Sequence, residues 1–369
     1  MKGFVRLMAV VVTAAVFVVA CSKDKDSGKI TLDSPAVFFA QAGGSATVGF
    51  TAQNIKTLSA TSKPTGWDEA VVDLAGAMIS VKAPSSEDIE SGDAVKTGSF
   101  SFTGYTPGGT LVSATLFAGI VTTKDISAEV ANSYIVTEPE TNYLIDATRK
   151  GDGSQLATSY VDVVWQTASG FVQYADFEDG KASFYIGADS DDATKIKQGN
   201  AVIGAYDADG ELIWSWHIWA TEYDPSQVAG QQTVGGNVFM DRNLGATSLV
   251  KGPQSAGCFY QWGRKDPFQG PYTWMMFLNG NAGWSNDGIG KFMTLRGFAS
   301  SNVPSENLVA SVRQPYRYIV GVSDWLSPAV GGEDYRWSNA DGTKGVFDPC
   351  PDGWRVPFRA REPLPHGPI

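Results

Sequence analysis

Few side chains of this sequence are of the types that carry out catalysis. Histidine occurs only twice, as His217 and His366, and Ser-His-Asp catalysis depends on a well-placed imidazole. No glycine-rich phosphate loop follows a strand pattern, and the histidines and cysteines lack the spacing of metal ligands. Paired carboxylates for glycoside hydrolysis stay open, because acidic residues are plentiful. We therefore expect no enzymatic activity, no cofactor and no metal site.

Alternating tryptophans in one apolar stretch suggest a second kind of chemistry, ligand stacking. Successive side chains of a strand point to opposite faces, so Trp214 and Trp216 share one face while His217 and Trp219 share the other. Exposed coplanar tryptophans stack on sugar rings, which would make Trp214 and Trp216 ligand-facing aromatics of a glycan site. Buried tryptophans would belong to the core instead, and the apolar neighbours of the pair favour the core. We expect His217 to be a hydrogen-bonded structural residue.

Lipid attachment is the third kind of chemistry, and it is indicated at the start of the chain. Residues 1–6 include two basic side chains, residues 7–20 are nearly all apolar, and Cys21 follows. This is the layout of a bacterial lipoprotein signal peptide, whereas a membrane-spanning helix needs about 20 apolar residues. We expect a signal peptide over 1–20 and acylation of Cys21, whose fatty chains would anchor the protein in a membrane.

The charge of the chain limits its partners and its location. A formal net charge of −11 argues against nucleic acid, since phosphate binding needs a basic face. Residues 21–29 are polar and predict a flexible tether. The alternative is that the charged run 22–28 is an export signal, of the kind that surface lipoproteins of Bacteroidetes-type bacteria carry there. We expect a lipid-anchored protein of the cell outer membrane that faces outward.

Two further cysteines, Cys258 and Cys350, remain once Cys21 is acylated. Two cysteines in an oxidising compartment can form a disulfide, provided that their Cα atoms lie about 4.4–6.8 Å apart. Two separately buried thiols are the alternative, and the sequence leaves both open.

The elements that must position these residues are predicted to be β-strands. Valine, threonine, serine, tyrosine and tryptophan are frequent, and long helix-forming stretches are missing. Residues 30–122 contain about seven short strand patterns separated by turns, which predicts an immunoglobulin-like β-sandwich. Residues 131–225 predict a second β-sandwich that includes a hairpin of 201–206 with 212–219. Residues 207–210 have the composition of a tight turn, and a calcium loop would need further oxygen ligands at fixed spacing.

Three motifs follow in the last third of the chain. An F-M-x-x-N-L strand covers 239–244, a Y-x-W-G-R segment covers 260–264, and C-P-x-G-W-R-x-P covers 350–357. In this order they resemble the FISUMP-type domain (Fibrobacter succinogenes major paralogous domain) of fimbrillin-family and related Bacteroidetes lipoproteins. The resemblance extends over about residues 133–357. It implies an α+β, C-type-lectin-like domain, placed at 234–357, and no established catalytic residues.

Each of the three motifs contains an arginine among apolar residues, namely Arg242, Arg264 and Arg355. A buried guanidinium must be paired. The carboxylates nearby in sequence are Asp241, Asp266 and Asp352. We expect a structural arginine–carboxylate network, with capture of a sugar or a carboxylate by the same arginines as the alternative.

The last residues, 358–369, depart from the pattern of the resembled family, which continues into a helix and further strands. Three prolines in this short stretch predict an irregular tail, from a truncation or a frameshift. Taken together, the sequence predicts a non-enzymatic, mainly β surface lipoprotein with a structural or adhesive role, such as a fimbrial component or an adhesin. Other surface or pilus proteins, or glycans, are its expected partners. The alternative is a glycan-binding surface lipoprotein of a polysaccharide-uptake system.

Overall fold

The structure, a computed structural model, describes residues 26–268, 298–299, 301, 303–317, 319–320, 325, 337–339 and 341–357. Within these residues the chain is mainly β-structure, as predicted, and is built of several small sheets. The predicted lipidation site Cys21 and the predicted tail 358–369 lie outside them. None of the described helices combines the length and the apolarity that crossing a membrane requires.

The chain divides into two compact units. The first unit extends to Thr123 and also contains Glu140–Asn142, and the second contains Lys124–Pro139 and the chain from Tyr143 onward. Apart from residues 140–142, the segments predicted as a second sandwich, 131–225, and as a motif domain, 234–357, therefore fall into one unit.

The first unit consists of two four-stranded sheets, with strand orders β1-β3-β6-β5 and β2-β8-β7-β4. Neighbouring strands are antiparallel, except for the parallel pair β2-β8. The elements are β1 (Lys29–Leu32), β2 (Ala36–Phe39), β3 (Ser45–Gln53), β4 (Thr57–Ser62), β5 (Val71–Asp73), β6 (Met78–Lys82), α1 (Ser86–Glu90), β7 (Thr97–Tyr105) and β8 (Leu111–Ile120).

The core of the first unit lies between these two sheets, as in a β-sandwich. On β7 the side chains of Phe100 and Phe102 are fully buried, while the alternating polar residues Ser99, Ser101 and Thr103 are not; this is the alternation that predicted the strand. Trp67 packs edge-on against Phe100 with ring centroids 5.8 Å apart. Its indole N–H donates to the carbonyl of Val95 at 2.7 Å, so the large ring is buried without leaving its polar atom unpaired.

The second unit also begins with two four-stranded sheets, in the orders β10-β16-β15-β12 and β13-β14-β11-β9. Strands β10 and β16 run parallel, and β15 and β16 form an antiparallel hairpin. The strands are β9 (Thr122–Asp125), β10 (Ser133–Val136), β11 (Thr141–Asp146), β12 (Tyr160–Gln166), β13 (Val172–Glu178), β14 (Lys181–Ile186), β15 (Gly199–Tyr206) and β16 (Leu212–Ala220).

The turn between β15 and β16 uses its acidic residues locally. The carboxylate of Asp207 accepts the backbone N–H groups of Asp209 at 3.0 Å and of Glu211 at 2.9 Å. Gly210 has a φ of 80°, a conformation that glycine adopts at little cost. In the described part of the chain, no group of three or more His, Cys, Asp or Glu side chains is placed to hold a metal ion.

Strand β16 is the central element of the second unit, because both its faces are covered. Every residue of the strand except Ile213 is buried. Trp214 and Trp216 belong to the core that the two sheets share. On the opposite face, Ser215 and His217 meet residues of the motif segment. Covering both faces explains why this strand reads as an almost continuous apolar run.

The motif segment adds short elements to this unit. Strands β17 and β18 pair antiparallel, and β19 and β20 pair parallel. The elements are a 3-10 turn (Val228–Gly230), β17 (Gln231–Val234), β18 (Asn237–Met240), α2 (Pro253–Ala256), β19 (Phe298–Ala299), α3 (Pro304–Arg313) and β20 (Ile319–Val320).

Candidate functional site

The predicted ligand-facing aromatics, Trp214 and Trp216, lie in the core. Their exposed fractions are 1% and 2%, and Trp214 packs against Phe347 with ring centroids 5.7 Å apart. Almost no ring surface is exposed for stacking on a sugar, so the prediction that both are exposed, ligand-facing aromatics is wrong; Trp216 contributes only to the base of a cleft described below. The alternative reading as core tryptophans describes them correctly.

His217 is a buried structural residue, as expected, and it is held by side chains from two neighbouring strands. Asn200 donates its amide N–H to the carbonyl of Gly245 at 3.0 Å, which turns its Oδ1 toward His217. Nε2–H of His217 then donates to Asn200 Oδ1, and Nδ1 accepts from the hydroxyl of Ser133, each at 2.9 Å. One neutral tautomer satisfies both contacts. Burial lowers the pKa of His217 to about 3, so the ring is uncharged at neutral pH.

The free energy of unfolding of the second unit should fall as the pH drops from 7 to 5. Unfolded histidine takes up a proton near pH 6.5, whereas folded His217 does so only near pH 3; the unfolded state therefore binds more protons in this window and is favoured. The loss should reach about 2 kcal/mol at pH 5, since each pH unit below 6.5 contributes about 1.4 kcal/mol. Urea unfolding at pH 7 and at pH 5 measures this loss of free energy of unfolding.

Two glutamine variants make that test specific to the buried ring. His217→Gln should lose most of the pH dependence, while His366→Gln should keep the slope of the wild-type protein. A wild-type slope in His217→Gln would contradict the role given to the buried imidazole.

A buried ion pair joins the Y-x-W-G-R segment to β16. Lys265 and Asp266 are each 2% exposed, and Lys265 Nζ donates to Asp266 Oδ1 at 2.6 Å. The ammonium also donates to the carbonyl and the hydroxyl of Ser215, at 2.8 and 2.6 Å, and that hydroxyl donates to Asp266 at 2.8 Å. Burial lowers the pKa of Lys265 to about 8 in spite of the carboxylate beside it. All three ammonium donors are thus used inside the protein.

Arg264 closes the end of helix α3, and none of the carboxylates in the described part of the chain is among its hydrogen-bond partners. Its guanidinium donates to the carbonyls of Ser311 at 3.0 Å, Gln314 at 3.1 Å and Pro315 at 3.3 Å, and also to that of Arg317. The last carbonyls of a helix have no partner within the helix and carry partial negative charge. The predicted arginine–carboxylate network is therefore corrected at Arg264, because the candidate carboxylate Asp266 is bonded to Lys265 and the end of a helix accepts from Arg264.

The other two arginines of the predicted network, Arg242 and Arg355, contact different residues. Arg242 bonds to Asp241, the predicted carboxylate, at 2.7 Å, and its guanidinium carbon lies 3.9 Å from the ring centroid of Tyr223. Arg355 is half-buried and donates to the carbonyl of Val356 at 3.3 Å. The Asp352 carboxylate accepts the backbone N–H of Val130 at 3.4 Å.

The closing motif is held by a carboxylate that sequence reasoning did not select. Asp348 is fully buried and accepts from Lys344 Nζ at 2.7 Å. It also accepts the backbone N–H groups of Cys350 at 2.8 Å and Val356 at 2.7 Å. Asn132, just before β10, donates to the carbonyl of Asp348 at 2.8 Å. The closing motif is therefore hydrogen-bonded to the residue that precedes β10.

Cys258 and Cys350 are both buried, and no disulfide joins them in the structure. Burial raises the pKa of the Cys350 thiol well above its usual range, which disfavours the reactive thiolate. The arrangement is that of two separately buried thiols.

A cleft of about 340 Å³ opens in the second unit next to β10 and β16. Its walls come from residues 127–131 and from the loop that starts at Arg149, and Tyr134 and Trp216 lie at its base, each 2% exposed. Tyr134 donates its hydroxyl to the carbonyl of Glu129 at 3.2 Å, which fixes one wall to the base. We call this cavity the Glu129 cleft.

The charges of the Glu129 cleft differ in how they are compensated. Burial, followed by the nearby Asp352, raises the pKa of Glu129, and none of the described lysines or arginines forms an ion pair with it. Burial also acts to raise the pKa of Asp146, but hydrogen bonds from Thr148 and Arg149 outweigh it and lower that pKa. The charge of Lys124 offsets part of the shift of Glu129 without forming an ion pair with it. The cleft thus combines one carboxylate that has no ion-pair partner among the described residues with one neutralised acidic–basic pair.

Sequence reasoning missed Glu129, Asp348 and the Lys265–Asp266 pair. Adjacent opposite charges inside an aromatic motif were a usable signal for Lys265–Asp266, since buried charges are usually paired. Nothing in the sequence distinguishes Glu129 from the other acidic residues, because only the fold places it beside a cavity.

Comparison with known proteins identifies no family. No protein-family model matches the chain, and no curated protein matches it. Solved structures with some likeness include an endo-fucoidan hydrolase, MfFcnA9 of glycoside hydrolase family 107, at 10% identity, TM-score 0.17, over 50% of this chain and 32% of that one. SGBP-B of the Bacteroides ovatus mixed-linkage glucan utilization locus, in complex with a mixed-linkage heptasaccharide, has 11% identity and TM-score 0.14, over 50% and 42%. The tandem Ig repeats of Dlar have 13% identity and TM-score 0.19, over 53% and 98%.

The chain spans less than half the length of the first two of these proteins. At TM-scores this low, the likenesses carry no argument about function.

Proposed function

We propose that this protein is a non-enzymatic, lipid-anchored cell-surface protein with a structural or adhesive role, as a fimbrial component or an adhesin. One observation carries the proposal: the side chains best suited to chemistry serve the fold. Ser215, His217, Lys265 and Asp266 are each at most 2% exposed, and internal hydrogen bonds occupy their polar atoms. Substrates do not reach groups at this depth. The same hydrogen bonds hold the motif segment against β16, so that the outer surface of this segment keeps a fixed position.

The location in the outer membrane is proposed from the sequence of the first residues. An apolar run of signal-peptide length, followed by Cys21 and a charged polar block, supports acylation and outward display. The motifs of 234–357 support a FISUMP-like domain of C-type-lectin-like α+β type as part of the same proposal. The packing of α3 on β16 fits it, because it adds a helix to the β-structure.

A second candidate function is that of a glycan-binding surface lipoprotein of a polysaccharide-uptake system. Trp214 and Trp216 no longer support it, because both are buried. The Glu129 cleft supports it instead, since a concave site with a few convergent polar groups is the usual form of a small-ligand site.

Two measurements on intact cells test anchoring and display. An alkyne analogue of palmitate should label the wild-type protein and leave Cys21→Ala unlabelled, because only a cysteine at this position accepts the lipid. Trypsin added outside the cells should digest the wild-type protein. Unlabelled wild-type protein, or protection from trypsin until the outer membrane is opened, would contradict the proposal.

A further inference from the structure

The Glu129 cleft is built to keep a carboxylate available. Glu129 is half-buried, and both burial and the neighbouring Asp352 raise its pKa, which makes the ionised form of the carboxyl group less favourable. A partly desolvated carboxylate without an ion-pair partner lowers the stability of the fold, and the charge of Lys124 offsets only part of that cost at Glu129. Groups that a protein keeps in such a state are found preferentially at functional sites, especially when they line a cavity.

The remaining groups of the cleft supply both donors and acceptors. Arg149 donates to Asp146 through Nε at 2.8 Å, yet its side chain is 57% exposed, so several of its N–H groups are available at the opening. Lys150 lines the same cleft. Gly151 and Gly153 bring backbone close to the cavity without a side chain in between. A ligand in this cleft would meet alternating hydrogen-bond donors and acceptors.

The balance of charge selects the class of ligand. The Asp146 carboxylate and the Arg149 guanidinium neutralise one another. The Lys150 ammonium lies over the Trp214 ring, 5.1 Å from its centroid, and Lys124 is the cation whose charge acts on Glu129. Asp352 adds a negative charge next to Glu129, which disfavours phosphates and acidic sugars. An uncharged molecule rich in hydroxyl groups fits best, because each hydroxyl both donates and accepts. The volume, about 340 Å³, lies at the small end of the range for ligand sites.

From this geometry we infer that the Glu129 cleft binds one uncharged sugar unit of a neutral glycan, with the Glu129 carboxylate accepting from its hydroxyl groups. The inference rests on the second proposed function and assigns it a site. The base of the cleft is preformed, because Tyr134 and Trp216 are fixed in strands β10 and β16.

Titration calorimetry with the full chain in mild detergent tests the site, using cellohexaose, laminarihexaose, mannohexaose and xylohexaose as neutral probes and trigalacturonic acid as an acidic one. The wild-type protein should bind at least one neutral probe and not the acidic one. Glu129→Ala and Glu129→Gln should each weaken that binding at least tenfold. Glu178→Gln, a matched change of an exposed glutamate outside the cleft, should leave it unchanged.

The stability of the same variants separates a binding role from a structural one. Because the Glu129 carboxylate is unfavourably placed, Glu129→Gln should unfold at the same temperature as the wild type or at a higher one while losing the sugar. Neutral-probe binding that both Glu129 variants retain would overturn the site and leave glycan binding in place. Binding of none of the neutral probes, or a preference for the acidic one, would overturn the glycan-binding function together with the site.

Discussion

Asp266→Ala is expected to destabilise the second unit by about 3–5 kcal/mol, the usual cost of removing one partner of a buried ion pair. The Lys265 ammonium is 2% exposed and would keep only the two oxygens of Ser215 as partners. Its charge would then lie in the interior without compensation. Urea unfolding followed by tryptophan fluorescence measures the loss.

An exposed pair provides the matched control for this prediction. Lys195 and Glu222 are 3.4 Å apart with both side chains about half exposed, so Glu222→Ala should cost no more than about 0.5 kcal/mol. Removing both buried charges, as Lys265→Met with Asp266→Ala, should recover most of the loss, because no unpaired charge remains. An effect of Asp266→Ala as small as that of Glu222→Ala would contradict the burial of the pair.

Arg264→Ala should destabilise the same unit by about 3 kcal/mol, since several buried carbonyls would lose a charged donor at once. These carbonyls belong to the end of helix α3 and to the residues that follow it, including Ser311, Gln314 and Pro315. Arg264→Lys should recover little of the loss, because an ammonium cannot reproduce the planar fork of a guanidinium. Equilibrium urea unfolding and the helical circular dichroism signal report the two effects.

The control for Arg264 is the more exposed arginine of the first motif. Arg242 has a sequence neighbour, Asp241, as its ion-pair partner and lies over the ring of Tyr223. Arg242→Ala should cost less than Arg264→Ala, because it removes one ion pair and one cation–π contact, whereas Arg264 donates to several buried carbonyls. If Arg242→Ala proves more damaging than Arg264→Ala, the role of Arg264 at the helix end is wrong.

Local pattern was sufficient to predict the strands and one hairpin. Alternation around Phe100 and Phe102 depends only on which side chains face the core, and the turn at Asp207 and Gly210 depends on residues within the turn itself. Such features follow from nearest neighbours, so a single sequence reveals them.

Partner choice could not be predicted, because it depends on contacts between distant segments. The rule that buried charge must be compensated held for Arg264 and Asp266, but proximity in sequence, which suggested one shared network, did not identify their hydrogen-bond partners. Asp266 lies beside Ser215 of β16, 51 residues away, and Arg264 lies beside the end of α3. The same limit applies to Trp214, which is buried by residues far away in the sequence, such as Phe347.

The most direct test of the proposed function measures adherence of cells, to glass and to one another, after deletion of the gene and complementation. The wild-type protein should restore adherence, and Cys21→Ala should not, because adherence requires display on the membrane. The double variant Lys265→Met with Asp266→Ala should restore it at equal surface levels, since these buried groups serve the fold and not a reaction. Full adherence without the gene, or its loss in the stably displayed double variant, would contradict a non-enzymatic adhesive role.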